Sequence, residues 1–176
     1  AKRWAGEAAL LAHLREDPEA VQRGLDRLTE NVLTLVRGCQ RAGVDGFYIS
    51  TQGGEAHRFG GTDIFTRCIK PTDLAVWDQA RQSAFNILHV CDYHLPYADL
   101  APFTSYPGHV VNTSLELTGG KHISPKEVAR LYKRPFMGGL ERKGVIAKGS
   151  PAEIKAAVTK AIEAAPERFI LGADCT

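Results

Sequence analysis

Residues 124–140, SPKEVARLYKRPFMGGL, and residues 150–173, SPAEIKAAVTKAIEAAPERFILGA, share one local design. Each opens with Ser, Pro and, three residues after the Ser, Glu. A Ser at the N-cap accepts from the third helical amide, the Glu carboxylate accepts from the N-cap amide, and Pro loses nothing at the first helical position. Each helix start is followed by a short apolar strand, Pro135–Leu140 in the first case and Phe169–Ala173 in the second. Helix followed by strand, repeated, is the signature of a parallel sheet with right-handed crossovers.

Working outward, the same alternation recurs. Asp17-Pro18 is a helix start, and Val21, Leu25, Leu28, Val32, Leu35 and Cys39 recur at steps of four and three until Gly43, which predicts one long amphipathic helix buried along that stripe. A β-branched and aromatic run, residues 44–51, predicts a strand ending before Gly53-Gly54. A mixed loop precedes a helix from Lys70-Pro71-Thr72 towards Ala84, and residues 86–91 and 109–113 predict two more strands. The expectation is a single α/β domain over 1–176 with about five parallel strands.

Composition sets the outer limits. The 176 residues carry 22 Lys+Arg and 20 Asp+Glu, a net charge of +2, with the two signs interspersed, so no footprint for nucleic acid is present. Hydrophobic residues at 44% and charged residues at 24% match an ordinary globular domain. No run approaches the ~18 apolar residues of a membrane span, and Ala1-Lys2-Arg3-Trp4 is no signal peptide. Four scattered cysteines do not make a disulfide framework. The expected setting is the cytoplasm, with neither nucleic acid nor membrane as partner.

Alternation leaves two architectures open, a doubly wound sheet or part of a (β/α)₈ barrel. No G-x-G-x-x-G follows any strand, which weakens the dinucleotide-binding form of the first. Polar and reactive residues gather at strand ends: Gln52, His89 with Cys91, Thr113 with Ser114, Glu141 with Arg142, and Cys175. Barrel enzymes build their sites at such ends, although open sheets bind there too. Five strands cannot close an eight-stranded barrel. The first residue is not Met and the chain stops just after a strand-end cysteine, so a portion of a longer barrel is expected, poorly stable alone or associating with a second copy through its open edges.

His89-Val90-Cys91 carries the sharpest chemistry. Residues two apart in a strand share a face, so the imidazole and the thiol project together. Cys175, far away in sequence, ends another strand beside the small Gly172 and Ala173. One His and two Cys would hold a tetrahedral zinc ion and leave its fourth position open, as catalytic zinc sites do. The plainer alternative is a core histidine and buried thiols. Cys39 reads as core and Cys68 as a loop residue. Gln52-Gly53-Gly54 either presents backbone amides to a substrate carboxylate or simply turns the chain. Tyr93, His94 and Tyr97 follow the H-x-C strand and are placed to line a pocket. Asp92 and Asp174 adjoin proposed ligands and either orient them or cap turns. His13, His57, His109 and His122 read as structural or exposed.

From about Val44 to Thr176 the sequence resembles the C-terminal part of the uroporphyrinogen decarboxylase superfamily. The points of resemblance are residues 46–54, GFYISTQGG, and 87–91, ILHVC; then 136–144, FMGGLERKG, similar to the family's Q-G-N-L-D-P segment; and the helix start at 149–154 with the last strand, 169–175. The resemblance implies a (β/α)₈ barrel with its site at the C-terminal rim. One branch of that superfamily decarboxylates uroporphyrinogen without metal or cofactor. Another comprises corrinoid-dependent methyltransferases, whose zinc motif of H-x-C and a distant Cys is matched by His89, Cys91 and Cys175. The resemblance therefore implies zinc, a corrinoid as methyl donor, free or carried by a partner protein, and a small-molecule thiol as acceptor. It also places Glu141 and Arg142 where substrate is contacted. The alternatives are a tetrapyrrole decarboxylase, and a corrinoid- or tetrapyrrole-binding module whose zinc is structural.

Overall fold

A computed structural model of the chain describes residues 6–53, 62–92 and 95–175. Helices α1 (Glu7–Glu16) and α2 (Pro18–Arg41) lead into strand β1 (Gly46–Thr51). A helical turn at Thr62–Ile64 and a π-helical turn at Phe65–Ile69 run into α3 (Lys70–Ala80), followed by β2 (Phe85–Val90) and β3 (Val110–Thr113). A small antiparallel hairpin, β4 (Glu116–Leu117) with β5 (Lys121–His122), precedes α4 (Pro125–Tyr132). Then come β6 (Phe136–Leu140), α5 (Val145–Lys148), α6 (Pro151–Ala164) and β7 (Phe169–Ala173).

The sheet decides between the two architectures. Its order is β1-β2-β3-β6-β7, every neighbouring pair parallel. Each strand is laid beside the preceding one in chain order, and the order never reverses. A doubly wound sheet needs a reversal to create its binding crevice, whereas a barrel wall has none. The fold is a mixed α/β one whose five parallel strands have the arrangement of part of a (β/α)₈ barrel. β1 and β7 are the sheet's two edges among the described residues.

Period-2 alternation separates two faces. Leu88, Val90, Val111 and Phe136 point towards the helices and form the core with Trp77, Phe103, Tyr106, Val128 and Tyr132. The opposite face carries Tyr48, His89 and Asn112, aligned across β1, β2 and β3 by the registers Ser50↔His89 and His89↔Asn112. One face is the hydrophobic core and the other carries these polar groups among Ile87, Val110 and Met137, which places the chemistry on the side of a barrel's interior.

The local predictions hold where local physics decides them. Both capping boxes form: Glu127 N donates to Ser124 Oγ and Ser124 N to the Glu127 carboxylate, and Ser150 and Glu153 repeat the arrangement. Asp17 caps α2 by accepting from Ala20 N at 2.9 Å. Strand limits differ from the expected ones by no more than two residues, and α3 stops at Ala80 rather than Ala84. Cys68 is corrected from a loop to the π-helical turn, and α1, α5 and the hairpin are additions.

The buried face of α2 also differs from the expected stripe. Leu35 is 65% exposed and Val32 42%, whereas Val36 is only 5% exposed. The helix meets α3 through polar groups: Gln40 Nε2 donates to Gln79 O and Ser83 Oγ, and Gln79 Nε2 returns a bond to Gln40 Oε1 at 2.8 Å. Those bonds turn Val36 and Gln40 inward, one position round from the apolar stripe. Val36→Ala should cost about 2 kcal/mol in urea unfolding, while Leu35→Ala should stay within about 0.5 kcal/mol of the parent. The reverse ranking would show that α2 is seated on its apolar stripe after all.

Candidate metal centre

β2 delivers His89 and Cys91 to one face, and β7 ends two residues before Cys175. The structure brings all three together: one ligand atom from each lies within 4.8 Å of the other two, and all three residues are buried. Cys91 Sγ and Cys175 Sγ are 3.7 Å apart, and neither is in a disulfide. Two Zn–S bonds of about 2.3 Å at a tetrahedral angle span about 3.8 Å between sulfurs. The thiol pair has the spacing that such a cation requires.

His89 supplies the second half of the test. It is 2% exposed, and among the described residues neither Nδ1 nor Nε2 has a hydrogen-bond partner. A buried polar atom left unpaired costs about 1–3 kcal/mol, so native structures seldom leave one. An orphaned imidazole beside two thiols is what a site built for a cation presents. Nitrogen and sulfur donors together suit zinc better than a hard, oxygen-seeking ion. The donor set fits.

The surroundings hold these donors in place. Tyr48 stacks on the His89 ring at 5.2 Å between centroids, and its hydroxyl donates to Asn112 Oδ1 at 2.6 Å. Asn112 Nδ2 in turn donates to Met137 O and Ala173 O, tying β3 to β6 and β7 just before Cys175. Burial, and then the neighbouring Cys175, Cys91 and Asp174, push the Tyr48 phenol well above its ordinary pKa, so it remains a neutral donor. Tyr97 is corrected from a pocket-lining residue to a core one: it is buried against Phe103, and its hydroxyl donates to Cys91 O at 2.7 Å. Gln52 Nε2 donates to Cys91 Sγ at 3.1 Å. Gly53 follows at φ +95°, a conformation other residues rarely adopt.

A cleft of about 380 Å³ is lined by Asp92 and Asp174, the sequence neighbours of Cys91 and Cys175, and by Thr113 and Ser114, Gly139, and Glu141 with Arg142. All of these lie at or just past the C-terminal ends of strands, the rim at which barrel enzymes bind substrates. Glu141 is therefore at the cleft. Asp174 has a turn-forming role as well: its carboxylate accepts from Arg142 N and its amide donates to Leu140 O. Tyr93, His94, His57 and Gly54 lie outside the described residues. Cys39 and Cys68 are not in the cluster.

Asp73 carries no signal in the sequence, yet it is wired to the site. Thr51 Oγ1 and Tyr106 Oη both donate to its Oδ2, at 2.6 and 2.8 Å. Burial pushes its carboxyl from the ordinary 3.8 up to about 6, against the pull of those two donors. The folded state thus binds a proton here more tightly than the unfolded state does. The stabilisation is complete below about pH 4 and is lost as pH rises through about 6, a fall of about 3 kcal/mol. The difference in urea stability between the parent and Asp73→Asn should follow that fall between pH 4 and 7. A pH-independent difference would contradict the burial of this carboxylate.

Comparison with known families gives one result: the family model described as Uroporphyrinogen decarboxylase (URO-D) matches residues 5–176. The match includes α1 and α2, beyond the stretch in which the sequence motifs were recognised. Neither the curated proteins nor the solved structures yield a match.

Proposed function

Because the chain belongs to the uroporphyrinogen decarboxylase family, we propose that it transfers a methyl group from a corrinoid to a small-molecule thiol, with zinc held by His89, Cys91 and Cys175. The observation that carries this reading is the buried imidazole, unpartnered among the described residues, within 4.8 Å of two thiols. Zinc would lower the pKa of a thiol that reaches it, making the thiolate available at neutral pH.

The chain's residues do the rest. Cys91 and Cys175 contribute two thiolates and His89 one imidazole nitrogen, which leaves one tetrahedral position for the acceptor thiol. The Tyr48 stack and the Tyr48–Asn112 bond fix the ring plane of His89. Asn112 holds the end of β7, and with it Cys175, against β3 and β6. The cleft beside Asp92 and Asp174 is the way in for the acceptor and the approach for its methyl donor. The corrinoid would supply an electrophilic methyl carbon and keep the electron pair of its bond to it, while the acceptor sulfur would form the new bond and the thiol proton would go to solvent. The corrinoid arrives free or on a partner protein. Thiolate ligands persist in a reducing compartment, which favours the cytoplasm.

A tetrapyrrole decarboxylase is the second reading, favoured by the description of the matching family. One pair of assays separates the two. Incubation with methylcobalamin and a thiol should yield the methyl thioether, and the activity should fall to background after chelation and return with zinc. Release of carbon dioxide from uroporphyrinogen by the chelated chain, with no thioether formed, would establish the decarboxylase instead.

A further inference from the structure

We propose that Gln52 is a positioning residue that marks Cys91 as a permanent ligand, keeping its sulfur from competing with the acceptor thiol for the methyl carbon. The inference rests on the zinc reading of the site. On that reading three thiolate sulfurs meet at one cation, and each carries a lone pair that can attack an electrophilic carbon. Productive transfer requires that the acceptor reacts and the protein's own cysteines do not.

Cys91 receives a side-chain hydrogen bond. Gln52 Nε2 donates to its Sγ at 3.1 Å, and such a bond to an anionic sulfur is charge-assisted. The donated proton occupies a sulfur lone pair and draws electron density from it, which lowers the availability of that sulfur for a new S–C bond. An amide does not titrate, so the donor is present at every working pH. The amide is also aimed with care. Thr51, just before Gln52, is buried; its hydroxyl donates to Asp73 at 2.6 Å, and its carbonyl accepts from Cys91 N at 3.0 Å. The backbone just before Gln52 is thus held against the strand that carries Cys91, which fixes where the amide starts from.

The test uses the zinc-loaded chain with no acceptor present and iodoacetamide as the electrophile. The alkylation rates of Cys91 and Cys175 are followed by peptide mass spectrometry. Gln52→Met keeps length without a donor, and Gln52→Leu provides a second donor-free variant should the first fold poorly. Cys91 should react about tenfold faster in either variant, the rate equivalent of one hydrogen bond to a charged group, while Cys175 changes less than about twofold. Cobalt-substituted Gln52→Met should also show its sulfur-to-metal charge-transfer band at longer wavelength. Equal acceleration of both cysteines would mean that Gln52 only supports local structure, and an unchanged Cys91 rate with zinc retained would overturn the inference while leaving the proposed function standing. A parent chain that takes up no zinc would remove both.

Discussion

Cys91→Ala and Cys175→Ala should each reduce bound zinc from about one ion per chain to almost none, and abolish methyl transfer with it. Dividing the roughly 10–16 kcal/mol of a four-ligand zinc site among its ligands gives about 3 kcal/mol each, a loss in affinity of at least about a hundredfold. The loss is steeper here because three protein donors, rather than four, converge among the described residues. His89→Gln should weaken the site without emptying it, since both thiolates remain. Cys39→Ala, on α2 and outside the cluster, should leave metal content unchanged. Thiolate ligands must give up their protons, so the parent's affinity should decline as pH falls. Metal analysis by mass spectrometry reads all of these. Full zinc in either Cys→Ala variant would remove that thiolate from the ligand set.

Phe136→Ala should be the most damaging change to the fold, at about 3–5 kcal/mol. Phe136 is fully buried at the start of β6, paired in register with Val111 on one side and Phe169 on the other. Its ring stacks on Phe169 at 6.1 Å, and it fills the space above Gly138, where an added Cβ would sit 2.5 Å from Phe136 Cζ. Truncation opens a cavity beneath the strand that holds β7 in place. The unfolding midpoint in urea should therefore drop with the slope unchanged, and zinc affinity should fall as Cys175 loses its support. A variant within about 1 kcal/mol of the parent would mean that the core does not centre on β6.

What the sequence disclosed, and what it hid, follows the range of the physics involved. The capping boxes at Ser124 and Ser150 depend on residues three apart, so they could be read directly. The shared face of His89 and Cys91 follows from strand periodicity alone, and Cys175 joined them through its place at the end of another strand. Strand order was not local, and only the sheet itself separates a barrel wall from a doubly wound crevice. The face of α2 was misjudged because Gln40 and Gln79 bond across 39 residues, a pairing that hydrophobic periodicity does not register. Asp73 was missed for the same reason: its partners Thr51 and Tyr106 stand 22 and 33 residues away. Tyr48 and Asn112 did leave a trace, being polar groups next to the apolar Phe47 and Ile49 and to Val111 in their strands. Gln52 was read through its backbone, whereas its side-chain amide proves to face the sulfur of Cys91.

The central claim is that His89, Cys91 and Cys175 hold one zinc ion and leave it open to a thiol. Zinc-edge X-ray absorption of the loaded chain, before and after addition of the acceptor thiol, tests it most directly. The account predicts two sulfur neighbours at about 2.3 Å rising to three, with one nitrogen at about 2.0 Å retained throughout. A chain that takes up no zinc, or a shell that keeps its sulfur count when thiol is added, would contradict it.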